Sequence, residues 1–535
     1  MLWYATLLFL EGEKGCAVLV MCTEMCRFPF SKKERILSRL WDSNGKEQKM
    51  CCRYMMLALA MSVLGINALK AEITADFSKE IGPVRRALHS SGYSPKITSN
   101  GNITEQIKSM NFDYVRTHDL ALINPGERVV DTHFIFPLMH LDARDPKNYC
   151  FKPTDYLLKL SRDAGMKIFY RLGTSIEHSG PKVHFNTLIP DDFDKMAEVF
   201  AGTIRHYTRG WADGFNWDIK YWEIWNEPDG FNNMWCLPDG DGGVGNTKEE
   251  RKADRQRRDA KRLELFAQFY VKCLKRLKSE FPDIKVGGPA LCSYKESYFR
   301  TLLEACRREN VAPDFISWHY YGNKPSVIIG NADKARRLCD SFGFKKCELI
   351  INEWHYLGDY SWKGLRSTDP AILQKVWERP ASHNGIDSSC FTLSTLARLQ
   401  MSKYDQAYFY GCRHTGSWGY MDEFRRYYKI WYALNLFGSI MKDCTSLCAS
   451  TCEDAVSTLA AKSLDGKNGW LLVSDYCGKG EKVIVDVKGV REVVSATLLD
   501  HERNNESINV LFIDGKLTLD KKLSGSAAFL VKFSL

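Results

Sequence analysis

The sequence lacks a hydrophobic run long enough to cross a bilayer comfortably, which takes about 20 apolar residues. Its apolar stretch at 55–66 follows the basic Arg53 and precedes a small-residue segment at 69–71. This order is typical of a secretory signal peptide, and a short membrane anchor is the alternative. We predict secretion or periplasmic export through a signal peptide at residues 50–71, with the mature chain beginning near Glu72.

The sequence also lacks a strong excess of one charge. Its formal net charge is +9, but residues 1–71 carry 10 basic and 6 acidic side chains. The remaining 64 basic and 59 acidic residues give only +5, which does not demand a nucleic acid or an anionic membrane as partner. The basic segment 248–262 is interleaved with acidic residues, as on a solvated helix face. We expect no nucleic-acid partner and no stable membrane span.

Neither the cysteines nor the glycines form a recognisable cofactor site. Thirteen of the 18 cysteines lie beyond residue 71, an odd number without the spacing of a disulfide framework or a zinc site. The glycine-rich segment 240–245 fits a dinucleotide motif, but no strand precedes it. The alternative for this loop is a calcium site, with the carboxylates of Asp239 and Asp241 as ligands. We predict no cofactor and no bound metal.

Beyond the leader, short apolar runs alternate with longer amphipathic segments seven or eight times. This alternation predicts an α/β fold with a closed (β/α)8 TIM barrel. The last hundred residues contain short alternating strands separated by Gly, Asp and Asn, which predict a small antiparallel β-sandwich. We therefore expect a mis-assigned leader with the signal peptide at 1–71, a catalytic barrel at 72–440 and a β-sandwich at 441–535. The strand predicted at 72–78 could join the sandwich.

Two glutamates end predicted barrel strands. Glu227 closes the strand in YWEIWNEPDG, and Glu353 follows the apolar strand in ELIINEWHY. Catalytic groups of such barrels lie at the carboxyl ends of the strands, so these two side chains can face each other across the barrel mouth. Cleavage of a glycosidic bond requires such a pair, one to donate a proton and one to attack or direct water. Glu223 lies about 13 Å deeper at roughly 3.3 Å per residue, and we predict that it is structural.

Other strand ends carry residue types suited to a sugar cleft. Sugars present hydroxyl groups for hydrogen bonds and apolar C–H faces that lie against aromatic rings. The candidates are Arg116, His118, Glu177, His178, His319, Tyr321, Trp354 and Trp418. For each of them taken singly, a structural role is the alternative.

The motif WEIWNEP, followed by INEW, resembles the clan A glycoside hydrolases, in which an Asn-Glu pair ends the fourth strand and a Glu ends the seventh. More narrowly, VRTH, VGGPA, FISWHYYG and the small β-domain resemble glycoside hydrolase family 39, which includes β-xylosidases and α-L-iduronidases. The resemblance covers most of residues 72–535. The segments RLGTSIEH and INEWHYLGDY depart from the xylosidase and iduronidase patterns, which leaves the sugar open.

The resemblance implies a retaining double displacement with Glu227 as acid/base and Glu353 as nucleophile. It also implies that Asn226 hydrogen-bonds the sugar 2-hydroxyl and that Tyr321 orients the nucleophile. The subsite that holds the cleaved sugar would be lined by His118, His319 and Trp418.

The sequence thus predicts a retaining, exo-acting hydrolase that cleaves O-glycosidic bonds of plant or host glycans. Its partner would be an oligosaccharide or polysaccharide substrate. An endo-acting clan A glycanase and a catalytically inactive carbohydrate-binding barrel are the alternatives. The presence of both glutamates counts against the inactive barrel.

Overall fold

The computed structural model describes residues 6–10, 17–21 and 73–535 apart from short segments. The undescribed segments within 73–535 are 94, 96, 99–100, 119–128, 175–187, 231–234, 239–242, 378–381, 412–417, 423, 453–455, 479, 481 and 522–524. The predicted signal peptide at 50–71 therefore lies outside the described residues. Thr6–Leu10 and Ala17–Met21 form an antiparallel pair of strands, and residues 73–535 form a compact unit of their own.

Eight parallel strands close into a barrel, as the alternating sequence pattern predicts. Numbered in chain order, they are Ser90–Gly92, Tyr114–Arg116, Lys167–Leu172, Tyr221–Ile224, Lys285–Leu291, Phe315–Gly322, Glu348–Tyr356 and Gln406–Phe409. The first strand pairs with the eighth through Ser91 and Phe409, which completes the ring. All eight carboxyl ends therefore meet at one rim.

Helices cover the outside of the barrel and connect its strands. The α-helices are Thr104–Lys108, Thr132–Ile135, Lys152–Asp163, Phe193–Arg209, Lys248–Glu280, Glu296–Arg308, Pro325–Ser341, Ser361–Leu365, Pro370–Trp377, Ile386–Gln400 and Lys429–Asp443, with 3-10 turns at Arg86–Leu88 and Pro146–Asn148. The helix Phe193–Arg209 has ordinary caps at both ends: the side chain of Asp192 accepts from the amides of Asp194 and Lys195, and Gly210 ends the helix at φ 68°. Among the helices in the described ranges, none is long and apolar enough to span a membrane.

The second part is a ten-stranded, mostly antiparallel sheet. Its strands in spatial order are Asn504–Ser507, Glu492–Leu499, Ala527–Ser534, Asn468–Asp475, Val456–Ser463, Cys444–Ser450, Thr74–Pro83, Lys482–Lys488, Lys516–Asp520 and Leu511–Ile513. The strand before the barrel thus lies inside this sheet. Phe512, at one edge, packs against Phe533, near the other edge, with ring centroids 5.7 Å apart. The sheet therefore folds over a shared core, as in a sandwich. A further short pair, Ile97–Thr98 with Gly101–Asn102, precedes the second barrel strand.

The helix Ile386–Gln400 joins the barrel to the sheet. The hydroxyl of Ser394 donates to Ser474 Oγ at 3.1 Å, and the hydroxyl of Ser474 donates to the carbonyl of Cys390 at 2.9 Å. Arg398 Nε donates to Ser457 Oγ at 3.0 Å. Ser394, Ser474 and Arg398 therefore have partners at this buried interface, which limits the cost of removing these groups from water.

Candidate active site

Apolar side chains close the barrel below the candidate site. They come from five different strands and are Phe169, Tyr221, Phe315, Ile350 and Tyr408. Two residues further along the fourth strand, Glu223 is fully buried. Its carboxylate accepts from Ser317 Oγ at 2.6 Å, Asn352 Nδ2 at 2.7 Å and Arg116 Nε at 2.6 Å. Glu223 therefore has the buried polar partners that were predicted for a structural residue.

Arg116, at the end of the second strand, connects this lower layer to the site. Besides Glu223, its guanidinium donates to Glu353 Oε1 and to Asn226 Oδ1, each at 2.8 Å. An arginine only donates hydrogen bonds, so the atom of Asn226 that faces it is the oxygen. The amide NH2 group of Asn226 is thereby oriented away from the arginine.

The fourth strand ends earlier than its sequence suggests. Regular pairing stops at Ile224, whereas an unbroken strand through Glu227 was predicted. Trp225 and Glu227 adopt φ of 74° and 47°, in the left-handed region that costs non-glycine residues about 1–3 kcal/mol each. This irregular backbone lets the neighbours Asn226 and Glu227 both reach groups of the site, which a regular strand would place on opposite faces.

Glu353 lies in the seventh strand and is only 5% exposed. Tyr321 donates its hydroxyl hydrogen to Oε2 at 2.7 Å, and His118 Nε2 lies 3.7 Å from Oε1. Burial by itself would raise the pKa of Glu353, but His319, Arg116 and His118 outweigh burial and lower the pKa to about 2. This carboxylate is therefore ionised across the ordinary pH range. Burial, together with the negative charge of Glu353, raises the pKa of Tyr321 well above 10.

His319 bridges the two candidate glutamates. Its Nδ1 lies 2.9 Å from Glu227 Oε1 and 3.4 Å from Glu353 Oε2. Burial would lower the pKa of His319, but the adjacent carboxylates, Glu353 foremost, raise it above 6.5. The Glu227 side chain is 22% exposed and faces the cleft, whereas the Glu353 side chain is enclosed.

Glu227, His319 and Glu353 each place one atom within 4.8 Å of the other two, a grouping that could in principle bind a metal ion. The hydrogen bond between His319 and Glu227 already accounts for their closeness. The guanidinium of Arg116, 2.8 Å from Glu353, would repel a cation at this position. The three residues therefore suit proton transfer and nucleophilic attack better than metal binding.

Aromatic rings form one wall of the site. Trp418 lies with its ring centroid 5.5 Å from Tyr321 and 5.2 Å from Tyr410. On the other side of the nucleophile, Tyr93 stacks on His118 at 4.4 Å and shares a 2.7 Å hydroxyl contact with Tyr410. We call Tyr321, Tyr410 and Trp418, together with Trp362, the aromatic wall.

The structure brings most of the predicted residues together. Asn226, Glu227, His319, Tyr321 and Glu353 lie in direct contact with one another or through Arg116, and His118 and Trp418 lie beside them.

Two other predicted candidates, Glu177 and His178, lie outside the described residues. Trp354 does not line the cleft. It points away from the neighbouring Glu353 and packs, fully buried, against Phe391 and Phe409. Alternate residues of a strand face opposite sides, so a strand that presents Glu353 to the barrel presents Trp354 to the helices.

The sequence did not predict the contacts of Arg116 with the candidate site. It also did not identify Tyr93, Tyr410 or Trp362 as residues of the site. The signal for Arg116 was present, because a charge inside an apolar strand needs a buried partner. No local signal marks the three aromatic residues, since aromatic side chains occur throughout the core.

Part of the sequence resembles known proteins. Residues 249–338 match the family model of glycosyl hydrolases family 39. A β-xylosidase from Geobacillus stearothermophilus is 24% identical over 225 residues, which are 41% of this chain and 38% of that protein. The matched region thus spans well under half of that relative. The resemblance seen in the sequence motifs is confirmed.

Solved structures share the fold. A glucosidase from Croceicoccus marinus superposes with a TM-score of 0.64 at 19% identity, covering 87% of this chain and 99% of that one. An α-L-arabinofuranosidase from Thermotoga maritima, in complex with arabinose, gives 0.54 at 13% identity, covering 87% and 100%. At these identities the likeness establishes the barrel and its appended sheet.

Proposed function

We propose that this chain is a retaining glycoside hydrolase that cleaves O-glycosidic bonds by double displacement. The observation that carries the proposal is the separation of the two carboxyl groups. An oxygen of Glu227 and an oxygen of Glu353 lie within 4.8 Å of each other. Retaining enzymes hold their carboxyl groups about 5 Å apart, whereas inverting enzymes need roughly 6.5–9.5 Å to admit a water molecule between them.

In the first step, an oxygen of Glu353 attacks the anomeric carbon while the bond to the leaving oxygen breaks. Glu227 gives its proton to that oxygen, so the leaving group departs as an alcohol. Glu353 suits attack because its low pKa keeps it ionised. Tyr321 and Arg116 hold its two oxygens in place.

In the second step, the Glu227 carboxylate takes a proton from water as the water oxygen attacks the anomeric carbon. The bond between the sugar and Glu353 breaks, and the sugar leaves with its original anomeric configuration. His319 is hydrogen-bonded to Glu227 and lies close to Glu353. Its interaction with each carboxyl group therefore changes as Glu227 gains or loses its proton and as Glu353 forms or loses its bond to the sugar.

For substrate binding, we propose that Asn226 donates its amide hydrogens to the sugar 2-hydroxyl. The Arg116 contact to Asn226 Oδ1 orients the amide for this role. We propose that the reacting sugar also contacts His118, His178, His319 and Trp418. We also propose that the enzyme is exo-acting and releases one sugar at a time from a chain end. The similarity to a β-xylosidase supports testing a β-xyloside first.

The test uses protein beginning at residue 72, a panel of 4-nitrophenyl glycosides, and the Glu353→Ala variant as control. The panel comprises β-xyloside, β-glucoside, β-galactoside, α-L-arabinosides and α-L-iduronide. We expect release of 4-nitrophenol from one member, abolished in Glu353→Ala, with the first-formed sugar retaining its anomer by NMR. An inverted product, or a variant with near wild-type rate, would overturn the mechanism. Hydrolysis of internal bonds in polymers without activity on small glycosides would replace exo by endo action.

We also propose export through the signal peptide at 50–71. The basic residue, apolar run and small-residue segment of this part of the sequence support it. Expression of the protein from Met50 in a bacterium, followed by Edman sequencing of the exported product, tests this proposal. A mature amino terminus near Glu72 is expected, and retention of the uncleaved protein in the cytoplasm would contradict it.

A further inference from the structure

A tryptophan at the outer end of the aromatic wall has no part in the mechanism above. Trp362 belongs to the short helix Ser361–Leu365, which follows the seventh barrel strand. Its ring centroid lies 4.8 Å from Tyr321 and 5.8 Å from Trp418. Because Tyr321 donates to Glu353, a single tyrosine ring separates Trp362 from the nucleophile. Trp362 is 39% exposed, unlike the half-buried members of the wall.

The loop that leads to Trp362 is tied to the end of the sixth strand by two hydrogen bonds. The amide of Leu357 donates to the carbonyl of Gly322 at 3.0 Å, which ties the loop to the sixth strand. Asn323 Nδ2 donates to Asp359 Oδ1 at 3.0 Å. A ring whose loop is already ordered loses little conformational entropy when a ligand binds to it.

The residues beside Trp362 fix the loop further. The hydroxyl of Tyr360 lies 3.0 Å from His383 Nδ1, and His383 packs against Trp418 with ring centroids 4.6 Å apart. A Cβ on Gly364 would lie only 2.7 Å from Tyr360 Cβ, so the helix packs tightly on this tyrosine. Ser361 adopts a φ of 55°, an unfavourable backbone conformation for a residue with a side chain. The surrounding contacts therefore maintain a strained geometry next to Trp362.

The chemistry of this position suits a sugar ring. A partly exposed indole presents an apolar face to the C–H groups of a sugar. The guanidinium of Arg366 lies 5.6 Å from the indole centroid and supplies hydrogen-bond donors for hydroxyl groups beside it.

We propose that Trp362, with Arg366 beside it, binds the sugar ring adjacent to the one that is cleaved. The proposal rests on the proposed function and deepens it, because it assigns the enzyme to oligosaccharides rather than to glycosides with small leaving groups. Trp362 is then a specificity-determining residue: it contributes binding energy only when a second ring is present.

The experiment compares two probes that share the reacting sugar. β-D-Xylosyl azide has no ring beyond that sugar, whereas β-1,4-xylobiose has one; if the glycoside panel selects another sugar, the corresponding azide and disaccharide are used. Trp362→Ala should lower kcat/KM for the disaccharide about tenfold, the upper range of a stacking contact, and change the azide reaction less than twofold. Trp362→Phe should fall between. Tyr156→Ala, an exposed aromatic change on the outer helix Lys152–Asp163, should alter neither reaction.

The outcomes separate this inference from the function on which it rests. A wild-type protein that hydrolyses neither probe contradicts the proposed function. A wild-type protein active on both, with Trp362→Ala impaired equally on both, shows that Trp362 only supports Tyr321 and overturns the inference. A Trp362→Ala variant with the wild-type kcat/KM for the disaccharide overturns the inference as well. Thermal unfolding of each variant identifies any loss that comes from misfolding.

Discussion

Arg116 is the residue on which the electrostatics of the site depend. Its guanidinium contacts the structural Glu223, the proposed nucleophile Glu353 and the amide of Asn226 at the same time. One cation cannot balance two buried carboxylates, and His319 and His118 supply the remaining positive character next to Glu353. The nucleophile is therefore ionised because of its neighbours, although its burial alone would favour the neutral form.

The role of Glu227 predicts a dependence on the leaving group. Glu227→Ala should lower turnover of a natural disaccharide by about 10²–10⁴-fold, the range for loss of a general acid. A 2,4-dinitrophenyl glycoside should be affected far less in its first step, because its leaving group needs little protonation. Added azide, which needs no general base, should restore turnover of that substrate. Steady-state kinetics with both substrates checks this, and an equal loss on both would argue against the acid/base role.

The ionisation of Glu353 predicts a pH-dependent contribution to stability. Its folded pKa of about 2 lies below the ordinary 4.5. The ionised form therefore stabilises the folded state above pH 4.5, and this contribution is lost as the pH falls towards 2.

When the pH is lowered from 6 to 3, the free energy of unfolding of the wild type should thus fall by about 2 kcal/mol more than that of Glu353→Gln. Urea unfolding at several pH values measures it. A difference that does not change with pH would contradict the assigned charge environment of Glu353.

At the scale of elements, the end of the fourth strand is shaped by its neighbour. Gly173 directly follows the third strand with a φ of 122°, and a Cβ there would lie 2.9 Å from the ring of Trp225 and 3.2 Å from its Cα. The amide of Trp225 also donates to the carbonyl of Leu172. The close approach of these two strand ends gives Asn226 and Glu227 their positions.

Gly173→Ala should therefore reduce kcat as well as stability, because the added methyl group displaces the segment that carries Glu227. Gly165→Ala is the matched control: Gly165 has a φ of 83°, but a Cβ added there would meet no other atom within 4 Å. The control should lose about 1 kcal/mol or more of stability from the unfavourable φ and keep the wild-type kcat. Thermal unfolding and kinetics of both variants provide the comparison, and equal kcat values would refute the packing argument.

At the scale of the whole molecule, the barrel and the sheet belong to one compact unit. The strand Thr74–Pro83 precedes the barrel in sequence but pairs with Cys444–Ser450 on one side and Lys482–Lys488 on the other. The chain therefore enters the sheet, forms the barrel and returns to the sheet. The interior position of this strand means that its loss would divide the sheet in two.

Removal of this strand should therefore prevent folding, although it contributes no residue to the site. Protein beginning at Val84 should lack a cooperative thermal transition and hydrolytic activity, whereas protein beginning at Ile73 should show both. Circular dichroism during heating measures the transition. A protein beginning at Val84 that unfolds cooperatively and remains active would show that the barrel folds without the complete sheet.

The sequence alone determined the features that depend on local pattern. The alternation of apolar runs and amphipathic segments indicates a closed parallel barrel, because each strand and each helix has its own period. The apolar runs before Glu227 and Glu353 indicate that both lie at the same rim, although the seventh strand continues past Glu353 to Tyr356. The depth of Glu223 follows from the rise of a strand, and its burial requires polar partners.

Only the tertiary structure decided how these residues act together. The three partners of Arg116 come from the fourth strand, the segment directly after it and the seventh strand. The contact of His319 with both glutamates depends on the register of the closed barrel. Trp354 faces the helices and Trp362 faces solvent, a difference that the residue type does not encode. The fourth strand ends early where it packs against Gly173, which follows the third strand. Such effects arise from contacts between residues far apart in the chain, which local propensity and spacing do not contain.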